Sequence, residues 1–167
     1  MNADRRLEVH GCLSRNADDL LGYFERRVRV REDAADLLAE TFLQVWRRHQ
    51  ALPEDYARQR MWLFTVAANV LANHRRSGRR KSAVADRLRE QMSATPQQPD
   101  LGDQVAVRDA VLHLRDAHRE LIMLIHWDGF SVVEAAEVLG LNPSTARGRY
   151  AAARMALREA LTDVACT

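Results

Sequence analysis

Residues 131–161 read SVVEAAEVLGLNPSTARGRYAAARMALREAL, two helical periods punctuated by a glycine and an Asn-Pro pair. Ser131 and Glu134 have the S-x-x-E spacing of a capping box, in which a hydroxyl and a carboxylate satisfy each other's backbone N–H at a helix start. Val132, Val133, Ala136 and Leu139 form the apolar side of the helix that follows, predicted over Ser131 to Leu139. Gly140 then tolerates the positive φ that a tight inter-helical turn demands. Asn142 and Pro143 restart a helix at once, as cap and first helical residue. Ala136 is small where the second helix must cross closely. These signals predict a helix-turn-helix, the motif that lays its second helix in a DNA major groove.

The second helix, predicted from Asn142 to about Thr162, separates its chemistry by face. Ala146, Tyr150, Ala153, Leu157 and Leu161 share one stripe, while Arg147, Ala151, Arg154 and Arg158 share another. One stripe is expected to pack and the other to meet DNA. Ser144 and Thr145 sit at the helix N-terminus, where hydroxyls and free amides suit a phosphate. Arg147 and Arg149, with Arg154 further along, are placed for base edges or phosphates, and an arginine fork matches both acceptors of guanine.

Working outward, helical periodicity continues upstream and no segment alternates in the manner of a strand. Leu20, Leu21, Phe24 and Val28 lie on one side of a first helix from about Asp18 to Val28. Asp33 reads as the N-cap of a second, in which Leu37, Leu38, Phe42, Val45 and Trp46 recur as its apolar side and which ends near His49. Residues 50–57 contain Pro53 and read as a loop. Met61, Phe64, Ala68 and Leu71 mark the buried face of a third helix, which runs into Arg75, Arg76, Gly78, Arg79, Arg80 and Lys81. The composition then shifts to SATPQQPDLGD, residues 93–103, the best candidate for a linker. The expected fold is therefore all-α, two small helical domains joined by a flexible linker, with a helix-turn-helix in the C-terminal one. The boundaries expected are 1–92, 93–103 and 104–167.

Charge is distributed unevenly. Residues 1–90 carry 18 basic and 13 acidic side chains, leaving 7 and 10 for the rest of the chain's 25 and 23. A dense run of like charge repels itself unless a polyanion relieves it, so the cluster from Arg75 to Lys81 points to nucleic acid. No apolar run approaches the roughly 18 residues of a membrane span. The segment 1–13 carries Asp4, Arg5, Arg6, Glu8 and His10 and so lacks the apolar heart of a secretion signal, which predicts a cytoplasmic protein. Cys12 and Cys166 are the only cysteines and stand near opposite ends, which argues against a zinc site or a structural disulfide. With no Gly-rich phosphate loop, nucleophile elbow or paired metal-ligand motif, neither an enzyme nor a metal or other cofactor is expected.

A helix-turn-helix alone serves many regulators, and the N-terminal half narrows the choice. REDAADLLAETFLQVWR, residues 31–47, and RMWLFTVAANVLANHRR, residues 60–76, resemble sigma-70 region 2 as found in extracytoplasmic-function sigma factors. LRDAHRELIMLIHWDGFSVVEAAEVLGLNPSTARGRYAAARMALREAL, residues 114–161, resembles region 4 of the same family. The order and length also match. Departures occur where Ala39 replaces a common glutamine, Ala68 a common arginine, Asn73 a common aspartate and Ala152 a frequent arginine.

The resemblance implies three surfaces. Asp33, Asp36, Glu40 and Gln44 match the helix face that binds the clamp of RNA polymerase core. The third helix and the loop before it match the part that opens the minus-ten element and holds the separated strand. Aromatic rings and amides to receive an unstacked base, with cations for the backbone, are what that task needs. Tyr56, Trp62, Asn69 and Asn73 with Arg75, Arg76, Arg79 and Arg80 supply them, and Trp62, Val66, Asn69, Asn73 and Arg76 share a stripe. The C-terminal helix would read the minus-thirty-five element. The partners implied are RNA polymerase core, promoter DNA and an anti-sigma factor. The competing expectation is a helix-turn-helix regulator that binds operators without polymerase.

Overall fold

A computed structural model describes residues 3–89 and 102–165, with side chains over 4–78 and 107–162. Seven α-helices, and no strand, occur among the described residues: α1 Ala3–Glu25, α2 Arg31–Arg47, α3 Tyr56–Arg89, α4 Gly102–His113, α5 Asp116–His126, α6 Val132–Val138 and α7 Pro143–Ala165. A 3-10 turn, His49–Ala51, joins α2 to the loop before α3. The chain divides into two compact units, Met1–Met92 and Ser93–Thr167. Residues 93–101 of the expected linker lie outside the described residues. Gly102 and Asp103, which the sequence assigned to it, belong to the first turn of α4. No helix among the described residues is long and apolar enough to cross a membrane.

In the N-terminal unit α1, α2 and α3 pack around one core. Tyr23, Phe24 and Phe64 are its largest members, and Tyr23 meets the other two edge-on, with centroids 5.2 and 5.4 Å apart. α1 begins fifteen residues before the expected start. Its inward positions include Val9, Cys12, Asn16 and Leu20, a helical spacing that a hydrophobic pattern misses because an asparagine occupies one of them. Asn16 is tolerated there since its Nδ2 donates to the Cys12 carbonyl at 2.8 Å. Burial pushes the Cys12 thiol above its ordinary pKa, and the nearby Arg15 charge offsets part of that rise.

α2 departs from expectation at its start and along its face. Its N-cap is Val30, with no side-chain cap, and Asp33 stands inside the first turn, where its charge still favours the helix dipole. The buried positions are Ala34, Leu37, Thr41 and Val45, and the Thr41 hydroxyl donates to the Leu37 carbonyl at 2.7 Å. Because a threonine lies on the inward stripe, Trp46 falls off it and is 40% exposed rather than in the core. α3 starts at Tyr56, two residues earlier than the expected loop allows, because the Asp55 carboxylate accepts from the Arg58 N–H at 3.0 Å and caps it. Leu63, Phe64, Ala67, Val70 and Leu71 face inward on α3, whereas Met61 and Ala68 are only half-buried.

The C-terminal unit sets α7 against α4, α5 and α6. Val111, Ile122, Met123 and Ala153 form a buried cluster, with Leu114, Tyr150 and Leu157 packed on it. Arg119 ties the α4–α5 joint by donating to the Leu112 carbonyl at 2.7 Å and pairing with Asp116. The capping box of α6 is present in both directions: Glu134 N–H donates to Ser131 Oγ at 3.2 Å, and Ser131 N–H to Glu134 Oε2 at 2.8 Å. Removing the hydroxyl by Ser131→Ala is expected to cost about 1 kcal/mol, read from the denaturant midpoint of the intact chain. Within α6 the inward residues are Ala135, Ala136 and Val138, and Val133 is half exposed instead of packed. Gly140 has φ +64 and Gly129, in the turn before α6, φ +75. Asn142 Oδ1 accepts from the Ser144 N–H at 2.9 Å, and α7 follows.

Candidate nucleic-acid interfaces

On α7 the packing stripe is Ala146 and Ala153, fully buried, with Tyr150, Leu157 and Leu161 half-buried. The opposite side is open. Thr145, Arg147, Ala151 and Ala152 are exposed, and a Cβ built on Gly148 would meet nothing within 4 Å. A helix with small residues on its outer face lets a backbone approach it closely. Arg149 is half-buried on the other flank. Ser144 differs from expectation: its N–H and its hydroxyl both bond Asn142 Oδ1, at 2.9 and 2.8 Å, so the cap holds the donor that a phosphate would use. Thr145 and Arg147 are the more available donors at that end.

Arg154 lies seven residues beyond Arg147, about 10 Å along the helix. Its guanidinium sits 5.8 Å from the Tyr150 ring centroid. Tyr150 stacks on His126 and its hydroxyl is 3.1 Å from His126 Nε2, which fixes that ring against α5.

In the N-terminal unit α3 presents Asn69, Asn73 and Arg76 as one exposed stripe, with Trp62 half-buried at its start. Val66, expected on the same stripe, is 4% exposed and belongs to its floor. Arg76 donates to Asn73 Oδ1, so an amide and a guanidinium are already coupled. Arg75 is half-buried and has a partner of its own. The side chains of Arg79 and Arg80 lie outside the described residues. Tyr56 stands apart: six residues before Trp62, it points about 120° round the helix from it. It is 70% exposed, and the Arg15 guanidinium covers one face of its ring at 4.6 Å. Arg15, which no motif in the sequence marked, thus supports an aromatic that is largely exposed.

The four polar residues of α2 divide. Glu40 and Gln44, joined by a 2.7 Å hydrogen bond from Gln44 Nε2 to Glu40 Oε1, face a groove of about 360 Å³ between α2 and α3. Leu37, Val66 and Val70 also line it, and Asn69 and Asn73 form its far wall. Asp33 lies on the same edge, with Oδ2 3.8 Å from His74 Nε2. Asp36 alone of the four is fully outward, on a face with Leu43, 52% exposed, and Trp46. Sequence reading missed Leu43 altogether; exposed leucine and tryptophan at i and i+3 become visible as a surface only once the Thr41 stripe is known to be the inner one.

The pattern described as Sigma-70 region 2 matches residues 12–81, and that of Sigma-70, region 4 matches residues 104–157. The extracytoplasmic-function (ECF) RNA polymerase sigma factor SigL of Mycobacterium tuberculosis is 32% identical over 149 residues, covering 84% of this chain and 82% of that one. The chain belongs to the extracytoplasmic-function branch of the sigma-70 family. A second relative of this sigma-70 chain, the RNA polymerase sigma factor CarQ of Myxococcus xanthus, is 33% identical and covers 90% of this chain and 87% of its own. The fold agrees with that of the sigma factor RpoE solved with the anti-sigma factor NepR from Bartonella quintana, at TM-score 0.70 and 24% identity over 96% and 98% of the two chains. CnrH, solved in complex with the cytosolic domain of CnrY, superimposes at TM-score 0.65 with 25% identity over 95% of this chain and 90% of that one. Region 2 of this sigma-70 member accordingly falls on α1–α3, and region 4 on α4–α7.

Proposed function

We propose that this chain is an RNA polymerase sigma factor that brings core polymerase to a set of promoters and is not itself an enzyme. One observation carries the reading: a single chain holds two surfaces of different nucleic-acid chemistry. The N-terminal half of α7 offers a narrow, small-residue face with Arg147 beside it, which suits the major groove of a duplex. The α3 stripe offers amides, an indole and guanidinium groups, which suit an unstacked single strand. A regulator that binds only duplex operators has no use for the second surface.

In this reading α1–α3 form the domain for polymerase and the minus-ten strand, the segment before α4 the connector, and α4–α7 the domain for the minus-thirty-five duplex. Arg147 and Arg149 meet bases or backbone of the upstream duplex, Thr145 with Ser144 a phosphate, and Arg154 the flanking backbone. Tyr56, Trp62, Asn69 and Asn73 receive unstacked bases, with Arg75, Arg76, Arg79 and Arg80 along the phosphates. The polymerase clamp meets α2 through Asp36 with Leu43 and Trp46, while Asp33, Glu40 and Gln44 continue the contact along the α3 side of the same helix. Work of this kind places the protein in the cytoplasm. A sigma factor of this fold solved with an anti-sigma factor supports the further proposal that a protein inhibitor occludes these surfaces.

The test is run-off transcription with purified core polymerase on a genomic promoter library. Specific transcripts are expected only when both proteins are present; binding of operators by the isolated chain, without affinity for core, would establish the regulator instead. Within that assay Arg147→Ala should weaken recognition of the upstream element by about 1–3 kcal/mol if it pairs with a base. An equal loss on every sequence would make it a phosphate contact. Combining Asp36→Arg with Trp46→Ala should lower the affinity for core at least about tenfold, since a half-exposed tryptophan is the kind of residue that anchors an interface. Equilibrium titration of labelled protein with core measures it.

A further inference from the structure

α1 carries none of the residues matched to DNA or polymerase, yet its first turn grips the segment that leads into α3. Arg5 donates from Nε to the His49 carbonyl at 3.1 Å, and from Nη2 to the carbonyls of Leu52 at 2.7 Å and Gln50 at 3.4 Å. Its Nη1 pairs with Glu8 at 2.7 Å, one turn further along α1. Three backbone carbonyls from a four-residue stretch therefore converge on one cation. The chain itself explains why. The 3-10 turn gives the His49 carbonyl one donor, the Leu52 N–H at 3.3 Å, but Pro53 has no N–H to continue the pattern onto the Gln50 carbonyl. A guanidinium presents five N–H groups in a fixed fork, enough to serve the whole set from two of its edges.

The same segment is held at its exit. Leu52 is 3% exposed and anchors in the core. Gln59 donates from Nε2 to the Pro53 carbonyl at 3.0 Å, while its Oε1 accepts from Arg15 at 3.2 Å. Arg15 in turn covers the Tyr56 ring, and Asp55 caps α3. Two arginines of α1 thus fix the loop at both ends, Arg5 directly and Arg15 through Gln59.

We infer that Arg5 is a positioning residue for strand capture: it sets the path of residues 48–55, and with it the place where Tyr56 and the first turn of α3 meet an unstacked base. The inference rests on the function proposed above. An ammonium reaches one point rather than two edges, so lysine is only a partial substitute.

The experiment uses holoenzyme assembled from purified core and the full-length chain, offered duplexes with a central unpaired segment of random sequence. Sequencing the bound fraction gives the base preference at each unpaired position and, separately, in the upstream duplex. Arg5→Ala is expected to assemble normally and to flatten the preference in the unpaired segment about tenfold, within the worth of one base contact, leaving the upstream preference intact. Arg5→Lys should lie between the two. Arg6→Ala removes the same charge one residue along, at an exposed site, and should match the parent. An unchanged profile for folded Arg5→Ala, an equal effect of Arg6→Ala, or a parallel fall of both preferences would each overturn the role. A parent protein that selects no unpaired sequence would instead overturn strand capture itself, and the role of Arg5 with it.

Discussion

Phe64→Ala should lower the stability of the N-terminal unit by about 3–5 kcal/mol, the cost of emptying a large aromatic site that cannot collapse. Phe64 is fully buried and meets the Tyr23 ring edge-on at 5.4 Å, so the substitution removes transfer energy and an aromatic contact together. The Arg60 guanidinium also lies 4.8 Å from its ring centroid, which ties the outer edge of the site to α3 itself. A unit of this size has only a modest margin to lose, so a fraction of the variant is expected unfolded at growth temperature. Urea unfolding followed by far-ultraviolet circular dichroism checks the number. A loss below about 1 kcal/mol would mean that the three helices repack without the ring.

Ala136→Leu should be nearly as damaging in the C-terminal unit, at about 3 kcal/mol, for the opposite reason. Ala136 is fully buried in α6, as is Ala146 in α7, and small side chains at these positions suit a close approach of the two helices. Its carbonyl also accepts the Leu141 N–H at 2.8 Å, so the backbone at this point is part of the turn. Three added carbons have no room without moving α7. Duplex binding should therefore fail in the variant even at temperatures where the unit stays folded, because α7 no longer stands at the angle its partner helix sets. Parallel measurement of melting temperature and upstream-element affinity separates the two losses.

The contrast between the halves explains what was legible in the sequence. Turns built from Ser131, Gly140, Asn142 and Pro143 act through their own backbone neighbours, so they could be read one residue at a time, and the structure has each where the reading put it. The start of α1 was not legible in this way, since Asn16, polar by composition, holds a core position by donating its amide to the Cys12 carbonyl. The α2 face was inverted at Trp46 because Thr41, a polar residue by composition, is a core residue by its bond to Leu37. The predicted site residues share this division. Arg147 followed from the local helix pattern, whereas the meeting of Glu40 and Gln44 with Asn69 and Asn73 across one groove depends on how two helices pair. Arg5 and Arg15 were invisible for the same reason: their partners lie more than forty residues away along the chain.

The seven-residue α6 stands between two glycines whose φ angles, +75 and +64, other side chains rarely adopt. So short a helix does not persist in water by itself, because the nucleation cost exceeds what its few bonds return. It exists only while α5 and α7 enclose it. The turn between α6 and α7 consequently takes its shape from tertiary packing rather than from α6 itself, so a chain synthesised only as far as α6 is expected to lack it.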